Sequence, residues 1–257
     1  MSKKIAMVSK VFVSFLLSAF LLLGSVLLVM GEEASTLDLG ISSRHYEEGR
    51  IPRGWSLRSR FGFYRVGEAR WVKDDGQPAV RFHSKGALTF LERDADIDIK
   101  EFQVVTWKWK VVDVLKGVDE RVFEGDDHPI RIFFVFAPTE RSFWFRVKRF
   151  FYLDRVHGHP AGGRFIEYLW SSNLEPGEII DDPLSPRQKL MVVEAGSANA
   201  GKWLSYRRNL YEDYKSLYGE EPSHLIFIGI LNDTDQTGQE ATSYIADLTF
   251  HKPLPQD

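Results

Sequence analysis

The 257-residue chain has no cysteine. No disulfide can hold its fold, no thiolate can act as nucleophile or metal ligand, and no thioether-linked lipid can anchor it. Two other signatures are missing: the G-x-G-x-x-G phosphate loop and the G-x-S-x-G turn of serine hydrolases. Their absence sets aside dinucleotide-dependent and serine-nucleophile chemistry of those types. There is no excess of positive charge either. With 33 basic and 36 acidic residues the net charge is −3, a poor basis for general nucleic-acid binding. Internal repeats and low-complexity tracts are also lacking.

What is present is an export signal followed by a β-rich domain. Lys3, Lys4 and Lys10 precede the uncharged run Val11–Met30, and Glu32 and Glu33 follow it. The run spans about 20 residues, longer than an ordinary signal core and long enough to cross a bilayer as a helix. Residues 1–31 are therefore a signal peptide or an N-terminal membrane anchor, residues 32–43 a linker, and residues 44–252 the domain. The lysines on the N-terminal side direct that domain outward, to the periplasm or another extracytoplasmic space, with the inner membrane as the site of a retained anchor. Removing residues 1–31 takes away three of the basic residues and none of the acidic ones, leaving −6.

Beyond residue 43, short runs of Val, Ile, Phe, Tyr and Trp alternate with Gly, Asp, Asn and Pro, the pattern of strands and turns. Strands are expected at 71–73, 79–83, 87–93, 104–112, 130–137, 165–171, 189–195, 225–231 and 242–251. Nine strands suggest an all-β, two-sheet, jelly-roll-like β-sandwich behind the N-terminal hydrophobic helix. In VVTWKWKVV, Thr106, Lys108 and Lys110 alternate with Val105, Trp107, Trp109 and Val111, giving one wet face and one apolar face. The run IRIFFVFA from Ile130 is almost wholly apolar after Arg131 and reads as a central strand. Leu210, Tyr211, Tyr214, Leu217 and Tyr218 have helical spacing, with Asn209 as N-cap and Gly219 as stop, giving one of one or two decorating helices.

Several stretches resemble a known family: IPRGW at Ile51–Trp55, VTWKWKV at Val105–Val111, GDDHPIRIFFVF at Gly125–Phe136, EYLWSS at Glu167–Ser172 and VVEAG at Val192–Gly196. RNLYEDYKSLYG at Arg208–Gly219 and IGILNDTDQTGQEATSYIADLTF at Ile228–Phe250 follow in the same order. The chain is similar to the bacterial secreted proteins of the domain of unknown function 3047 family. That resemblance implies an exported sandwich that looks like carbohydrate-binding modules, and it implies no activity.

The candidate chemistry is dispersed. Asp233-Thr234-Asp235-Gln236-Thr237-Gly238 spaces oxygen side chains as calcium loops do, although Tyr244 stands at the twelfth position where a calcium loop has Glu; the same spacing also makes a plain turn. Asp126, Asp127 and Arg131 form a second cluster, either a buried brace or, beside Asp233 and Asp235, part of a calcium shell. Glu167 and Glu194 lie in strands and would equip a polysaccharide hydrolase or lyase if they faced each other at 5–9 Å, the approximate spacing such pairs use. Trp170 and Trp203, flanked by polar residues, are the tryptophans best placed to stack on a sugar, with Arg131 a further ligand contact. The segment Arg141–Arg155 interleaves aromatic and basic residues at helical spacing, suiting either packing on the sandwich or an anionic membrane surface. His157 and His159 with Asp154 make a weak metal pattern. These features favour a non-catalytic module binding a glycan or envelope component. The alternatives are a polysaccharide-cleaving enzyme and a membrane-proximal interaction module.

Overall fold

The computed structural model describes residues 35–42, 46–58, 65–138, 163–183 and 185–253. The hydrophobic N-terminal segment, Arg141–Arg155 and the His157–His159 pair lie outside those residues. The described chain forms two sheets. In chain order the strands are β1 (Thr36–Asp38), β2 (Ser56–Leu57), β3 (Glu68–Asp74), β4 (Gln77–Lys85), β5 (Leu88–Ile97), β6 (Val104–Val111), β7 (His128–Phe136), β8 (Phe165–Ser171), β9 (Ile179–Asp182), β10 (Ser185–Ala195), β11 (Leu204–Asn209), β12 (Leu225–Asp233) and β13 (Glu240–His251). A six-stranded sheet runs β11-β6-β13-β4-β3 with β1 also paired to β13, and a seven-stranded sheet runs β2-β5-β12-β7-β8-β10-β9. β10 lies parallel to β8, whereas the other paired strands are antiparallel.

Period-two alternation sets the two inner faces. Val105, Trp107, Trp109 and Val111 of β6 meet Ile130, Ile132, Phe134 and Phe136 of β7 in one core. Trp107 stacks on Tyr168 of β8 at 5.3 Å between ring centroids, joining sheet to sheet. β7 is the fourth of seven strands and is buried along its whole length. Its second face packs Phe133 against Phe90 at 5.1 Å. That stack lies over Gly229 of β12, where a Cβ would come within 2.5 Å of the Phe133 ring.

Thr36–Ile41, assigned to the linker from sequence, belongs to the sandwich. β1 pairs with β13, and Leu39 and Ile41 enter the core, because two apolar side chains gain more from burial than a polar tether would. The short strands β2, β9 and β11 were not expected; they are edge elements with too few apolar residues for a periodic signal. One α-helix, α1 (Leu210–Tyr218), is found among the described residues. Asn209 accepts from Glu212 N at 3.1 Å and Gly219 closes the helix at φ 66°, as the sequence indicated. No helix among the described residues is long and apolar enough to cross a membrane.

Candidate functional site

Arg131 leaves the outer face of β7 and is the hub of a buried charge cluster. Its Nη1 lies 3.2 Å from Glu167 Oε2, 3.6 Å from Asp126 Oδ1 and 3.9 Å from Asp182 Oδ2. All four side chains are at most 10% exposed. β8 brings Glu167 beside β7, and the edge strand β9 brings Asp182 across β10. His128, at the start of β7, is fully buried, 3.8 Å from Asp126 Oδ1, and neither ring nitrogen has a hydrogen-bond partner. Nearby, buried Glu120 accepts from Ser171 Oγ at 2.7 Å and from Ser172 N at 3.0 Å.

Burial dominates the electrostatics. It pushes Asp126 up to about 7 and Glu167 up to about 8 against the opposing pull of Arg131, and neighbouring carboxylates add to the rise. It also drives His128 well below the usual imidazole range, so that ring is neutral. For Arg131, burial opposes the charge, but Glu167, Asp126, Asp182 and Asp233 outweigh it and raise its pKa. A buried guanidinium without a counter-charge is the costliest arrangement. At least one surrounding carboxylate therefore stays ionised while burial keeps protons on others.

A second group adjoins the first. Asp127, Asp233 and Asp235 bring one oxygen each within 4.8 Å of one another, the juxtaposition the sequence suggested. Three such oxygens are the donor type a hard cation takes. Asp127, however, is already engaged by the turn: its Oδ2 accepts from Thr237 N at 2.7 Å and Thr237 Oγ1 at 2.5 Å, and its Oδ1 from Gln236 N at 3.2 Å. Burial and mutual repulsion hold Asp233 well above the carboxylate range, and burial raises Asp235 as well. The turn is bounded by strands and closed by Gly238 at φ 68°. Tyr244 lies in β13 of the six-stranded sheet, against Trp203.

Two sequence expectations are corrected. Glu167 and Glu194 do not face each other. Glu167 joins Arg131 on the outer face, while Glu194 accepts from Tyr206 Oη of the six-stranded sheet and from Asn199 Nδ2 at 3.4 Å; the bulge between Val192 and Glu194 turns it that way. Trp170 is no ligand platform. It is fully buried, 6.2 Å from Trp109 between ring centroids, and donates Nε1–H to Gly196 O at 3.0 Å.

Trp203 has a different setting. Just before β11, it lies half-buried on the outer face of the six-stranded sheet, 6.1 Å from Tyr244 of β13 between ring centroids. Lys110 Nζ sits 4.7 Å from the Tyr244 centroid and 5.6 Å from that of Trp203. Asp74 binds both ends of this arrangement, accepting from Lys110 Nζ and, at 2.9 Å, from Trp203 Nε1. The rings are held by fixed charges, which is preorganisation. Trp203 and the wet face of β6 are legible in the sequence. Tyr244 and Asp74 are not, because their place beside Lys110 depends on strand register.

A model of the family described as "Protein of unknown function (DUF3047)" matches residues 62–249. No curated protein matches the chain. Among solved structures, it is similar to an exo-β-agarase at a TM-score of 0.38 and 13% identity, over 82% of this chain but 25% of the agarase. It is also similar to the mannan-recognising carbohydrate-binding module TmCBM27 (TM-score 0.34, 12% identity, 86% and 97% of the two chains). A third similar structure is the endo-1,4-β-glucanase CelB2 (TM-score 0.42, 6% identity, 86% and 100%). Likeness at this level says nothing about activity. The family match covers most of the sandwich, and the chain belongs to the DUF3047 family of proteins of unknown function.

Proposed function

We propose that this protein is a non-catalytic glycan-binding sandwich, delivered outside the cytoplasm by its N-terminal segment, and that it takes its ligand on the outer face of the six-stranded sheet. The Trp203–Tyr244 pair carries this reading. Two half-buried rings 6.1 Å apart, anchored by buried Lys110 and by Asp74, offer apolar surface for a pyranose face. The Arg131 cluster is the fold's internal brace: its charged groups are buried, and Asp127 spends its acceptors on the 236–237 turn. Cleavage is not favoured, since Glu167 and Glu194 serve opposite faces of their sheet.

The test is a screen of immobilised polysaccharides with the full-length protein and its Trp203→Ala variant. Binding to one or more glycans, lost in Trp203→Ala without a change in melting temperature, is the expected result. Equal binding by both proteins would move the site elsewhere, and no binding to any glycan would remove the reading.

A further inference from the structure

On the same sheet face, one row of side chains crosses the strands. Arg70 of β3 is the Cα partner of Arg81 on β4, Arg81 of Tyr244 on β13, and Tyr244 of Lys110 on β6. Trp203 lies beyond Lys110 in contact range. Neighbours in sequence fix the direction these side chains take: Ala69, Val80, Phe82, Trp109, Val111 and Ile245 all point into the core. The row therefore lies on the outer face of the sheet, with Lys110 itself buried, and spans four interstrand steps of about 4.8 Å, roughly 19 Å.

The charges in this row are unbalanced in a specific way. Lys110 is matched by Asp74 and, at 3.8 Å, by Asp75. Arg70 and Arg81 have no carboxylate within 4.0 Å among the described residues, nor does Arg207 on β11 of the same face. Lys108 and Lys85, which share the face, are both paired, with Asp247 at 2.8 Å and Glu240 at 3.0 Å. Like charges directly opposite on adjacent strands destabilise a sheet. In a chain with more acidic than basic residues, two facing arginines left without a counter-ion beside an aromatic pair fit a ligand that brings the negative charge itself.

We infer that the ligand is an acidic polysaccharide, one bearing carboxylates along its chain, laid across β11-β6-β13-β4-β3 with a sugar ring on Trp203 and Tyr244 and its carboxylates on Arg81 and Arg70. Guanidinium forks match carboxylates in bidentate fashion. This inference rests on the glycan-binding reading above. Duplex DNA, whose charge is denser and unaccompanied by exposed sugar faces, would need a more extended basic surface.

The experiment measures binding of the full-length protein to polygalacturonate and to the same polymer fully methyl-esterified, at low and high salt, with duplex DNA and anionic lipid vesicles as further arms. Polygalacturonate should bind on the order of tenfold more tightly than its ester at low salt, with the difference shrinking as salt rises. Arg70→Gln with Arg81→Gln should bring polygalacturonate down to the ester's level and leave the ester unchanged. Equal binding of acid and ester, an unaffected double variant, or a preference for DNA or vesicles would overturn the inference. Of these, equal binding that Trp203→Ala abolishes would leave the glycan reading standing and remove only its acidic specificity. Binding of neither polymer would overturn the acidic assignment, and the separate polysaccharide screen then decides whether the broader reading survives.

Discussion

Arg70 and Arg81 stand opposite each other on β3 and β4, and neither has a carboxylate within 4.0 Å among the described residues. A sheet selected for stability alone would place opposite charges there, since a cross-strand ion pair stabilises and a like pair does the reverse.

The Arg81→Glu variant should therefore be more stable than the natural protein, by about 0.2–1 kcal/mol, while losing affinity for acidic glycans. Thermal melting and binding measured on the same sample check both halves. A loss of stability would show that Arg81 has a structural partner.

Stability should decline as pH rises. Asp126 and Glu167 bind protons more tightly folded, at about 7 and about 8, than unfolded, near 3.8 and 4.5. Their contribution is fully present below the unfolded values and is lost as pH climbs through the folded ones. The buried, neutral His128 opposes this trend up to about pH 6.5, so melting temperature should fall most clearly from about pH 6.5 to pH 8.5, and Glu167→Gln, which mimics the protonated acid, should flatten part of that slope. An unchanged slope in the variant would place the proton elsewhere.

Asp127→Ala leaves three donors of the 236–237 turn without their acceptor. The expected loss is about 1–3 kcal/mol, read as a lower melting temperature. A chelator should leave the natural protein's melting curve unmoved if the hydrogen bonds to Asp127 alone hold this turn. A chelator-induced drop that Asp127→Ala abolishes would instead establish a cation among Asp127, Asp233 and Asp235.

Gly229→Ala tests the packing on the second face of the seven-stranded sheet. The added methyl would meet both Phe133 and Phe90 at about 2.6 Å or less, so the stacked rings must shift, at about 1–3 kcal/mol. A neutral result would mean that this face repacks freely.

Local signals in the sequence read well. The alternation in VVTWKWKVV placed Trp107 and Trp109 inward and Lys108 and Lys110 outward, and Asn209 and Gly219 bounded their helix. The Asp126–Asp127–Arg131 cluster and the Asp233–Asp235 turn were visible as short motifs, and the structure joins them. Glu120 and Asp182 were not legible, because each reaches the cluster through tertiary placement. The row from Arg70 to Trp203 was hidden for the same reason: it exists only once five strands have taken their register. Trp170 misled because polar neighbours in sequence do not show which face of a central strand an indole occupies.

The most direct measurement is calorimetric titration of the best-binding polysaccharide into three proteins: the natural chain, Trp203→Ala and Glu167→Gln. If the ligand lies on the six-stranded sheet and the Arg131 cluster is a brace, Trp203→Ala loses binding and Glu167→Gln keeps it. Retained binding in Trp203→Ala with loss in folded Glu167→Gln would contradict this and make the buried cluster the site.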